Sequence, residues 1–123
     1  MVRVINETRG HELGARIGHA DRWWPRLRGL IGRGPLEPGG GLLIDPCRGV
    51  HMYGMKQSLD VAFVDGRGAI VALYPELSPG ARTPMHSAAR RAVEVPAGTL
   101  AGTGTVVGDV LTWEPSPEGG EAG

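Results

Sequence analysis

His51, Met55, Lys56 and Asp60 stand close together in the stretch Pro46 to Asp65, which also holds Cys47, the only cysteine, while Lys56 is the only lysine. An imidazole titrates near neutral pH and can donate, accept or shuttle a proton. Lys56 could hold an anion or pair with Asp60. Asp60 could orient His51 for acid–base catalysis if the two come within hydrogen-bond reach. Each residue also has a plain explanation: a solvated lysine, an aspartate bonded to backbone, a histidine satisfied by a carbonyl. The three together, in a segment with no evident structural need for them, favour a site.

Cys47, His51 and Met55 recur every fourth residue, so a regular strand would set them on one face. Thiolate, imidazole and thioether suit a soft metal such as Cu(I), with Met52 as a fourth donor. Gly49 and Gly54 interrupt such a strand, and a lone cysteine is more often a small buried hydrophobe. No metal is therefore expected. Arg28 and Arg33 could bring guanidinium forks, which suit carboxylates and phosphates. Arg26, the pair Arg90-Arg91 and Glu94 read as solvent-facing.

These side chains need elements to hold them. Val2 to Asn6 and Leu13 to Ile17 read as paired strands around a turn near Thr8 to His11. From Asp21 to Arg33 the period becomes helical: Asp21 is a candidate N-cap, and Trp23, Leu27, Leu30 and Ile31 share one face. Gly34-Pro35 ends that helix. Short strands are expected at Gly41 to Ile44, Val50 to Met52, Asp60 to Val64, Ala69 toward Leu77, Ala89 to Val95 and Val106 to Trp113. Asp65-Gly66-Arg67-Gly68 is a hairpin turn. The expected fold is mostly β, α+β at the margin: an antiparallel β-sandwich or partly open barrel of about eight short strands, with one helix near residues 21–33.

The 123 residues suffice for one domain, expected over 1–113, with a flexible Pro/Gly-rich tail over 114–123. Thirteen basic and 13 acidic residues cancel, which argues against nucleic acid as a partner. The chain shows neither a signal-peptide pattern nor a membrane-length apolar run, so a cytoplasmic protein with no membrane partner is expected. No nucleophile elbow and no phosphate-loop motif appears, and no cofactor is expected.

Several short motifs occur together in order: Arg28-Gly29-Leu30-Ile31-Gly32-Arg33, Gly41-Leu42-Leu43-Ile44 with Pro46-Cys47, His51 with Met55, Leu59-Asp60-Val61 with Phe63-Val64-Asp65, Val93-Glu94-Val95-Pro96-Ala97-Gly98, and Val107-Gly108-Asp109-Val110-Leu111. With this set the chain resembles the domain-of-unknown-function 192 family from about Val4 to Leu111. The resemblance implies a small, mostly β domain in a sandwich-like arrangement with one helix, and no established activity. Met52 replaces a small hydroxyl residue frequent in that family, and Ser58 a frequent proline.

The favoured expectation is a binding domain for a small, anionic ligand in a shallow polar pocket walled by His51, Met55, Lys56 and Asp60, with Arg28 or Arg33 contributed by the helix. One rival is an enzyme using His51 and Asp60 as acid and base. Another is a protein-interaction module presenting Trp23 and Trp24, since adjacent helical residues cannot both face inward.

Overall fold

Alternating apolar residues make Val2–Asn6 the first strand, β1, and a tight turn leads into β2 (His11–Ala20). In the computed structural model, which describes residues 1–20 and 36–116, five strands follow. They are β3 (Gly40–Ile44), β4 (Leu59–Val64), β5 (Ile70–Leu77), β6 (Arg91–Pro96) and β7 (Leu111–Pro115), with one short helix, α1 (Thr99–Gly102), before β7. The helix expected near residues 21–33 lies outside the described residues, as do Trp23, Trp24, Arg28 and Arg33.

The strands form one curled sheet in the order β5-β4-β6-β3-β2-β1-β7. The fold is therefore mostly β, and of the two expected forms it takes the partly open barrel. It is not wholly antiparallel, because β3 runs parallel to β2, Ile17 pairing with Gly41 and His19 with Leu43. The connection from β2 to β3 is longer than the dozen or so residues that a parallel crossover requires. At one end the edge strands meet. Ala69 bridges Val110, Leu111 donates its N–H to the Gly68 carbonyl at 2.8 Å, and Ile70 donates to the Asp109 carbonyl at 2.9 Å. Gly68 has φ +88°, and a Cβ there would lie 2.4 Å from the Leu111 carbonyl oxygen. Only glycine permits this approach without displacing backbone.

Every strand and α1 contribute to the interior, where Val4, Ile17, Leu43, Ala62, Ile70, Val93, Leu100 and Leu111 pack together. A second cluster covers the other face of β4 and β6: Val61, Phe63, Ala89 and Ala92, with Cys47, Val50, Tyr74 and Leu77 against it. β6 is flanked by β4 and β3, and the two clusters cover its faces, Val93 and Val95 packing into the first and Ala92 into the second. Glu94 is accordingly buried opposite Leu42 and Val61, at 8% exposure, and is not the solvent-facing residue its alternation suggests. Desolvation raises its pKa to about 7.

The last strand begins only at Leu111. Residues before it form a turn tied to the β1–β2 hairpin. Asn6 donates its side-chain amide to Thr105 Oγ1 and Asp109 Oδ2, both at 3.0 Å, and Arg9 Nε donates to Asp109 Oδ2 at 2.9 Å. The Arg9 and Asn6 bonds lower the Asp109 pKa to about 2. The register carries β7 on to Pro115 opposite Val2, past the start of the expected tail.

Candidate functional site

The connection from β3 to β4 carries most of the residues singled out above. Its path is set by pairing with the connection from β5 to β6. Met52 N–H donates to the Ala81 carbonyl (2.7 Å), Thr83 N–H to the Val50 carbonyl (2.9 Å) and His86 N–H to the Arg48 carbonyl (2.8 Å). The expected strand Val50 to Met52 is thus reduced to an isolated antiparallel bridge, His51 opposite Arg82. Met52 is wholly buried and its carbonyl also accepts the Gly80 N–H. With that side chain buried, alternation turns its neighbours His51 and Tyr53 outward.

The outward face of this ribbon borders an open groove of about 800 Å³, lined by Gly49, Val50, His51, Tyr53, Gly80 and Arg82 together with Thr83, Pro84 and Met85. The wall is close-fitting at Gly49, where a Cβ would lie 2.7 Å from Met85 Sδ. His51 and Arg82 are exposed. Directly opposed residues of an antiparallel pair project to one side, with Cβ atoms about 5 Å apart. Neither has an ion pair or side-chain hydrogen bond among the described residues, and no carboxylate lines the groove.

Asp60 is elsewhere. It is fully buried, with Oδ1 accepting the Glu76 N–H (2.8 Å) and Oδ2 accepting those of Gly98 (3.0 Å) and Leu100 (2.8 Å). It ties β4 to the end of β5 and to α1, and no hydrogen bond joins it to His51. Lys56 is exposed and Met55 half-buried in the turn beyond Tyr53, outside the groove lining. The Cys47 thiol donates to the Gly49 carbonyl at 3.3 Å, and Cys47 packs against the Phe63 cluster. In that cluster Tyr74 Oη lies 2.7 Å from His86 Nε2, and both rings contact Phe63. Arg91 is not simply solvated: its Nε donates to Asp45 Oδ2 at 2.8 Å and its guanidinium covers Trp113.

Sequence reasoning passed over Arg82, Tyr53, Thr83 and Met85. The loop of Arg82, Thr83 and Met85 has the Pro and Gly of an ordinary connection, and nothing local indicates that it pairs with residues 48–52. The available signal was Arg82 itself, a charged residue in a short loop between Gly80 and Pro84.

The DUF192 family model, described as an uncharacterized ACR, matches residues 4–113. The chain belongs to this family. A UPF0127 protein of Thermococcus sibiricus is 29% identical over 94% of this chain and 77% of its own length. Two solved structures share the DUF192 chain's fold. One, from Sinorhizobium meliloti 1021 and provisionally described as a transcription regulator, has TM-score 0.71 and 25% identity over 91% of both chains. The other, a protein of unknown function from Novosphingobium aromaticivorans, has TM-score 0.75 and 23% identity over 91% of this chain and 83% of its own. Among the described residues of this DUF192 protein, no helix is long and apolar enough to cross a membrane.

Proposed function

We propose that this DUF192 protein binds a small anion in the groove between residues 49–53 and 80–85. The observation that carries this reading is the opposition of His51 and Arg82. Two basic side chains facing each other across a bridge repel when both are charged, and here no acid stands between them. A bound carboxylate or phosphate would take the guanidinium fork of Arg82 and the imidazole N–H of His51 together. Asp60 has no part in this site, since its carboxylate is committed to three backbone donors. Lys56 and Met55 flank the groove in sequence and do not line it. The role of Arg28 and Arg33 remains the expectation stated from the sequence.

The test is a titration of labelled protein with sodium acetate and inorganic phosphate at fixed ionic strength, followed by amide NMR. Shifts confined to residues 49–53 and 80–85, and abolished in Arg82→Ala and reduced in His51→Ala, support the reading. Shifts scattered over the surface, or unchanged in both variants, overturn it.

A further inference from the structure

Beside its cationic pair the groove offers the Tyr53 hydroxyl and few other side-chain hydrogen-bonding groups. Thr83 is buried, and its hydroxyl is used, accepting the Val50 N–H at 3.1 Å and donating to the Pro84 carbonyl at 3.0 Å. The N–H groups of Met52, Ala81 and Thr83 are spent on the ribbon and its turn. A sugar phosphate or another ligand rich in hydroxyls would find few side-chain partners beyond Arg82, His51 and the Tyr53 hydroxyl.

The remaining wall is apolar. Tyr53 is 78% exposed and Met85 72% exposed, and both border this groove with Val50 and Pro84. They are among the few large apolar side chains left in solvent among the described residues. Exposed apolar groups gathered beside a small number of convergent polar groups are the usual make-up of a small-molecule site. Gly80 presents no side chain, and nothing lies within 4 Å of where its Cβ would stand, so a flat body can lie against the backbone there.

We infer that the ligand is an amphipathic carboxylate: one carboxylate held by Arg82 and His51, and an apolar, ring-containing body held between Tyr53 and Met85. This rests on the anion-site reading above and adds the class of molecule. The tyrosine ring supplies a stacking face, and the methionine thioether adapts to the body's shape.

The experiment compares benzoate, acetate, inorganic phosphate and the neutral benzyl alcohol by the same NMR titration. Benzoate should bind about tenfold more tightly than acetate or phosphate, the gain expected from burying part of a ring. Benzyl alcohol should bind more weakly than benzoate. Tyr53→Ala with Met85→Ala should bring benzoate down to the affinity the same variant shows for acetate, and Tyr53→Phe with Met85 intact should retain the advantage. Circular dichroism checks the fold of each variant, which alters only exposed side chains. If acetate binds at the groove and benzoate binds no more tightly, the inference is overturned while the anion site stands. If none of the three anions binds there, both are overturned.

Discussion

Leu111 donates its backbone N–H to the carbonyl of Gly68 at 2.8 Å, and this bond joins the two edges of the sheet. The approach requires a residue without a Cβ at φ +88°. Gly68→Ala adds the cost of a left-handed backbone to a clash with the Leu111 carbonyl. A loss of about 3 kcal/mol is expected. Urea unfolding followed by Trp fluorescence measures it, and a change below about 0.5 kcal/mol would mean that the seam is not tight in solution.

Asp60→Asn places an amide where three backbone N–H groups point. One donor at least then faces another donor in a buried site. The expected loss is about 3 kcal/mol, with hydrogen exchange at Leu100 and Glu76 accelerated more than in β1 and β2. Anion binding at the groove should be unchanged when measured under conditions where the variant is folded. Lost binding in a folded Asp60→Asn protein would return Asp60 to the site.

Glu94 opposes folding at neutral pH. Its folded pKa of about 7 lies above the ordinary value of 4.5, so the folded chain holds a proton that the unfolded chain releases. Stability is therefore highest below about pH 4.5 as far as this group is concerned, and declines as pH rises through 7. Glu94→Gln should stabilise the protein at pH 8 by up to about 3 kcal/mol, with the advantage gone near pH 4.5. Equal midpoints for the two proteins at pH 8 would contradict this.

Asp109 acts in the opposite direction. Its folded pKa of about 2 lies below the ordinary 3.8 because Arg9 and Asn6 donate to the carboxylate. Its contribution is complete above about pH 4 and is lost as pH falls through 2. Asp109→Asn should destabilise the protein at pH 7 and flatten that part of the acid-unfolding curve. Asn6→Ala, which strips the same network of its buried donor, should cost about 2 kcal/mol. An acid limb in Asp109→Asn identical to that of the parent chain would assign the acid sensitivity to other carboxylates.

Much of this architecture is legible locally. Val2 to Asn6, Leu59 to Val64 and the Asp65 to Gly68 turn announce themselves by alternation, apolar runs and glycine. What is not legible depends on partners distant in the chain. Val50 to Met52 looks like a strand, yet its partner is the distant connection from β5 to β6, and only a single bridge forms, His51 opposite Arg82. Asp60 looks chemically available, and only the arrival of Gly98 and Leu100 from beyond β6 encloses it. Glu94 alternates like a solvent-facing residue, but the second cluster covers the face it shares with Ala92. The short helix Thr99–Gly102 has too few residues for a helical period. The site was half visible: His51 stood out as an unusual residue, whereas Arg82 became its counterpart only through pairing between two connections.

The first strand borders the last: β1 pairs with β7, Val2 opposite Pro115, and the Ser116 N–H reaches the Met1 carbonyl at 3.1 Å. A chain growing on the ribosome therefore cannot complete this sheet until β7 has emerged. Until then one edge of β1 has no hydrogen-bonding neighbour. Such dependence on distant pairings slows folding and leaves a nascent chain open to association with others. Cotranslational chaperone demand, and sensitivity to truncation within β7, follow from the adjacency of these two strands.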